Sequence, residues 1–103
     1  MAAGAAGAAR LVLNHSAAME GLVPVLRRLA EAAPGRIRTI VPGRLSGSRG
    51  RAQGLGLRVG VPVSGGWKMT ARRGRQAQEV FVVTDLRKNE LQAVVTQLVT
   101  KYG

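Results

Sequence analysis

From Leu55 to Val63 the chain alternates without a break: Leu55, Leu57, Val59, Val61 and Val63 are apolar, with Gly56, Arg58, Gly60 and Pro62 between them. A period of two marks a strand with one buried face. Ser64-Gly65-Gly66 follows as a turn, and Trp67, Met69 and Ala71 alternate with Lys68, Thr70 and Arg72 on the way back. The pattern predicts a hairpin. Pairing Val63 with Trp67 around a three-residue loop puts the apolar residues of both strands on one face, whereas a two-residue loop sets Val63 opposite Gly66 and Val61 opposite Lys68. A slip of one residue turns an apolar face to water, so the three-residue loop is the expected register. It places Leu55 opposite Arg75, Arg58 opposite Arg72 and Pro62 opposite Lys68.

Elsewhere the period changes. Leu22, Val23, Leu26, Leu29, Ala30 and Ala33 recur at three- and four-residue steps, the spacing that lines one face of a helix. Proline is tolerated only in a helix's first turn, so Pro24 sets the start near Glu20 or Gly21, and Pro34-Gly35 ends it. Leu91, Val94, Val95, Leu98 and Tyr102 predict a second helix, capped by Thr84 or Asp85 and closed by Gly103. Short apolar or β-branched runs predict the remaining strands: Leu11 to Leu13, ended by Asn14-His15-Ser16; Arg36 to Val41; and Glu79 to Thr84, which reads as buried on both faces. The order β-α-β-β-β-β-α predicts one α+β domain, an antiparallel-rich mixed sheet with two helices packed on one face. Residues 1–10 read as a disordered Ala/Gly tail, 11–103 as the domain, and 42–54 as a basic loop within it.

Composition narrows this picture. A chain of 103 residues has surface for one core. Trp67, Phe81 and Tyr102 are its only aromatics, so that core is aliphatic. With no cysteine, disulfides, thiolate nucleophiles and cysteine-based zinc sites are excluded. The start, MAAGAAGAAR, lacks the basic and Leu-rich regions of a signal peptide, and no run approaches the ~20 apolar residues of a membrane span. A cytoplasmic protein without a membrane partner is expected, and the Asn14-His15-Ser16 glycosylation triplet then has no context.

Charge points to a partner. Sixteen basic residues, thirteen of them arginine, face five acids, for a formal net charge of +11. No acid lies between Arg36 and Gln78, where ten of the basic residues fall. In the expected register Arg44, Arg49 and Arg51 of the first basic segment converge with Arg72, Arg73 and Arg75 of the second. Arg58 and Lys68 extend the patch along the outward face of the hairpin. Facing like charges are destabilising unless an anion covers them, and arginine grips phosphate at two points. With no aromatic platform for bases, the expectation is a non-enzymatic protein that grips the backbone of structured RNA or ribosomal RNA. An acidic protein partner would use the same arginines. Gly47-Ser48-Arg49-Gly50 is no nucleotide loop, because neither Lys-Ser/Thr nor a helix follows it.

Catalytic chemistry is poorly supplied. His15 is the only histidine; near it in sequence stand only Asn14 and Glu20, while Glu79 and Asp85 require the fold to bring them in. A metal site takes three or four such donors, and no set of nucleophile, base and orienting group assembles. The segments LVLNHSAAMEGLVPVLRRLA, TIVPGRLSGSRGRAQGLGLRVGVPVSGGWKMTARRG and QEVFVVT nevertheless resemble a small family of uncharacterised proteins of cyanobacteria and archaea labelled predicted metal-binding. The resemblance spans about Leu11 to Leu98. It implies a metal ion as cofactor, with His15 the residue carried over, and so an alternative function as a metal-binding protein or metal-dependent hydrolase.

Overall fold

The computed structural model describes residues 10–11, 20–47 and 54–102. Its elements run β1 (Arg10–Leu11), a 3-10 turn (Glu20–Leu22), α1 (Val23–Ala32), β2 (Ile37–Gly47), β3 (Leu55–Val63), β4 (Gly66–Arg73), β5 (Gln76–Thr84) and α2 (Lys88–Tyr102). The strands form one sheet in the order β1-β2-β5-β4-β3, with β1 parallel to β2 and the other pairs antiparallel. This is the expected α+β domain, with both helices on one face.

Each helix turns one apolar stripe inward. Val25, Leu26 and Leu29 of α1 and Leu91, Val95 and Leu98 of α2 are buried. They meet Ile37 and Ile40 of β2, Leu55, Leu57 and Val59 of β3, Met69 and Ala71 of β4, and Val80 and Val82 of β5 in one core. Pro24 lies in the first turn of α1, where its missing N–H forfeits no hydrogen bond. The exit from α1 is tightened by Arg36 N–H and Ile37 N–H donating to Ala33 O (3.0 and 3.3 Å), with Gly35 in left-handed backbone (φ 79°).

The cap of α2 departs from expectation. Thr84 Oγ1 instead donates to Arg36 O (2.6 Å) and accepts Leu86 N–H (3.1 Å), and Asp85 pairs with Arg36. Glu90, in the first turn, reaches back to accept Arg87 N–H (2.8 Å), which is half of a capping box.

Three further expectations are corrected. The hairpin closes through a two-residue turn, Val63 opposite Gly66, with Gly65 in left-handed backbone (φ 79°). A bulge between Val59 and Pro62 then absorbs one residue of β3, so Val59 faces Met69 and Leu55 faces Arg73. The bulge keeps Leu55, Leu57 and Val59 inward and leaves Val61 and Val63 exposed, at 53% and 36%. Strand β2 runs on to Gly47, so Pro42 to Gly47 is strand and not loop; a bulge between Pro42 and Leu45 accommodates its proline and glycine. Finally, β5 is buried on one face only: Gln78, Val80, Val82 and Thr84 are covered, while Ala77, Glu79, Phe81 and Val83 on the uncovered side are half-buried.

Candidate functional site

The corrected register redistributes the arginines. Arg58 lies opposite Thr70, and Arg72 lies opposite Gly56, so the two arginines are diagonal neighbours on the sheet's open face. Arg73 is on the helix side, where its Cδ would stand 2.8 Å from a Cβ placed on Gly21 of the 3-10 turn. Arg75 is exposed beside Gly74, whose N–H donates to Gly54 O (3.2 Å) and ties the β4–β5 turn to the start of β3. Arg44 is on β2, which β5 separates from β4. At about 4.8 Å per strand that is two strand spacings. Lys68 is not facing Pro62; it pairs with Glu79 (3.5 Å). Arg49 and Arg51 lie outside the described residues. The described residues thus do not gather the basic side chains into one continuous surface, because a slip in pairing and an intervening strand separate groups that the expected register brings together.

Metal donors are placed by the same accounting. Glu31 pairs with Arg28 (3.3 Å) on α1, and Glu79 pairs with Lys68 on the open face. Asp85 accepts Arg36 Nε–H at 2.9 Å, and Glu90 caps α2. The hydrogen bond from Arg36, reinforced by the charges of Arg36 and Arg38, holds the Asp85 carboxyl below the usual aspartate range. Asp85 and Glu90 flank the start of α2 while Glu31 is on α1 and Glu79 on the open face, and among the described residues no group of three His, Cys, Asp or Glu side chains comes together. The described residues therefore do not by themselves fit a metal ion. His15 lies outside them, as do Asn14 and the side chain of Glu20.

The backbone around those residues is nevertheless defined at both ends. Leu11 pairs with Ile40 on the parallel edge of the sheet, and Glu20 opens the 3-10 turn, where Gly21 packs against Arg73. The connection 12–19, which carries His15, thus joins the β1 edge to a turn held against β4.

Sequence reasoning missed two polar features. Gln78 is buried and donates Nε2–H to Gly43 O (3.5 Å), just ahead of the run that reads as a strand from sequence. Thr70 sits between Arg58 and Glu79, a neighbourhood that only the true pairing creates. Among the described residues no buried side-chain nitrogen or oxygen lacks a partner, and no helix is long and apolar enough to cross a membrane.

The model of a family described as "Predicted metal-binding protein (DUF2103)" matches residues 6–101. No curated protein and no solved structure matches the chain. The family match, with the dispersal of the arginines, overturns the expected RNA-binding function in favour of the metal-binding alternative.

Proposed function

Because the chain belongs to the DUF2103 family of predicted metal-binding proteins, we propose that it binds a divalent metal ion through donors in the segment that joins β1 to the 3-10 turn, with His15 as the principal ligand and Glu20 and Asn14 beside it. The observation that supports this reading is the commitment of every described carboxylate: Glu31, Glu79, Asp85 and Glu90 each already serve an arginine, a lysine or a helix end. Of the carboxylates and the imidazole, those left to a metal are Glu20 and His15, with Asn14 next to the latter in sequence. An imidazole nitrogen with carboxylate and amide oxygens, and no thiolate, suits zinc, iron(II) or manganese and disfavours copper(I). Three side chains leave room for water or a further oxygen ligand.

The proposed activity is binding. A bound ion would supply positive charge and a polarising centre, while the chain's own part is to hold it through that imidazole and those oxygens. A thermal-denaturation series tests this. Protein stripped with a chelator and then given zinc, manganese or iron(II) is expected to melt at a temperature that rises with metal concentration, as mass action requires of any ligand that prefers the folded state. A melting temperature indifferent to all three ions contradicts it.

A further inference from the structure

We propose that the open face of the β3–β4 hairpin is a binding site for the terminal phosphate of a small molecule, gripped by Arg58 and Arg72. The site goes beyond the metal reading and does not depend on it. Gly56, Arg58, Thr70 and Arg72 form a square of cross-strand and diagonal neighbours: Gly56 faces Arg72, and Arg58 faces Thr70. With Leu57 they line a depression of about 380 Å³.

Three observations give that depression its chemistry. The first is charge without a partner. Among the described residues neither Arg58 nor Arg72 has a carboxylate within ion-pair distance, and the one described acid on this face, Glu79, is taken by Lys68 at 3.5 Å. Diagonal neighbours are within reach of long side chains, so two arginines placed this way can converge on one anion. The second is the floor. Arg72 Nη2 would stand 3.1 Å from a Cβ placed on Gly56, so the glycine lets the guanidinium lie down over the strand. Any larger side chain at position 56 displaces it. The third is the neutral donor. Thr70 is exposed beside Arg58, and its hydroxyl is suited to a third oxygen of a tetrahedral anion.

A terminal phosphate fits this set. Its oxygens match the two-point fork of each arginine, and its double charge offsets both guanidinium groups. The depression is roomier than a bare phosphate needs, which favours a small phosphomonoester over the free ion.

The probes are inorganic phosphate, glycerol 3-phosphate and singly charged dimethyl phosphate, each titrated against chloride at matched ionic strength. Amide NMR shifts at residues 56, 58, 70 and 72 report the site. Saturable shifts are expected with the first two, tighter for glycerol 3-phosphate, and weaker ones with dimethyl phosphate. Tighter binding of inorganic phosphate would assign the same site to the free ion. Arg58→Gln and Arg72→Gln should each weaken binding about tenfold, the scale of a lost charge-assisted hydrogen bond, while Arg27→Gln on α1 should not. Should a glutamine variant fail to fold, the lysine variant keeps the charge but loses the fork, and it should still bind more weakly. Phosphate also coordinates metal ions, so the titration is repeated on His15→Ala, where binding should persist. Equal shifts with chloride, equal binding of dimethyl phosphate, equal losses in Arg27→Gln, undiminished binding in the arginine variants, or loss of binding in His15→Ala overturns the proposal.

Discussion

The two faces of the sheet are built from the same strands, residue by residue in alternation, and they differ in almost every other respect. On the helix-covered face Ile40, Val80, Val82, Met69, Ala71 and Val59 meet the apolar stripes of α1 and α2, and almost no water reaches them. The open face carries Thr39, Val41, Phe81, Val83, Glu79, Lys68, Thr70, Arg58 and Arg72, a mixture of half-buried apolar groups, the Lys68–Glu79 ion pair and two arginines that have no carboxylate partner among the described residues. Stability comes mainly from the first face, because burial of aliphatic groups is the largest favourable contribution in a chain with three aromatics. The second face contributes little to holding the fold together and so is open to chemistry.

Substitutions can break that contrast. The largest effects belong to the covered face and to the backbone approach beneath it. Leu26→Ala should cost about 2 to 5 kcal/mol in chemical denaturation, because it deletes a fully buried side chain and leaves a cavity. Gly66→Ala should cost at least as much, since a Cβ there would overlap the carbonyl oxygen of Val82 on the neighbouring strand. Wild-type stability in Leu26→Ala would mean that the covered face does not carry the fold, and in Gly66→Ala that β4 does not approach the β5 backbone this closely.

Trp67→Phe probes the seam between sheet and helix at a smaller scale. Trp67 Nε1–H donates to Leu86 O (2.9 Å), and its removal leaves that carbonyl without this partner, a loss of about 1 kcal/mol. Thr70→Ala on the open face should change stability by no more than about 0.5 kcal/mol, as expected of an exposed position away from packing. A loss at Thr70 as large as that at Leu26 would erase the distinction between the faces.

The smallest effect depends on pH. Arg36 lowers the pKa of Asp85 in the folded chain, so the contribution of this carboxylate is present above its unfolded pKa and fades as pH falls through the folded value. Both side chains are largely exposed, so solvent screens the pair and the effect is slight. The melting temperature of Asp85→Asn should sit just below that of the wild type at neutral pH and converge with it in acid. A gap that widens in acid contradicts the pairing.

The same contrast explains what the sequence made legible. The helices, the hairpin and the order of elements follow from periodicity, which burial on the covered face imposes on the residues themselves. The hairpin register does not follow, because its bulge between Val59 and Pro62 lets β3 keep Leu55, Leu57 and Val59 inward around a two-residue turn. Strand β2 was hidden beyond Val41 for a related reason: Pro42 and Gly43 read as loop, yet Gly43 lies under Phe81, where a Cβ would come within 2.6 Å of the ring. Charge that is dense along the chain proved separate in space, since Arg73 turns to the helix side and β5 stands between the strands that carry Arg44 and Arg72. The metal reading rests on one histidine and the family, because a single His with scattered acids makes no recognisable ligand spacing.

The measurement that bears most directly on the account is the metal content of the purified chain and of His15→Ala after both are loaded with zinc and dialysed. The proposed function predicts bound zinc at a stoichiometric level in the wild type and its loss in His15→Ala, with the helix-covered core melting at the same temperature in the two metal-free proteins. Equal zinc in both, or none in the wild type, would contradict it.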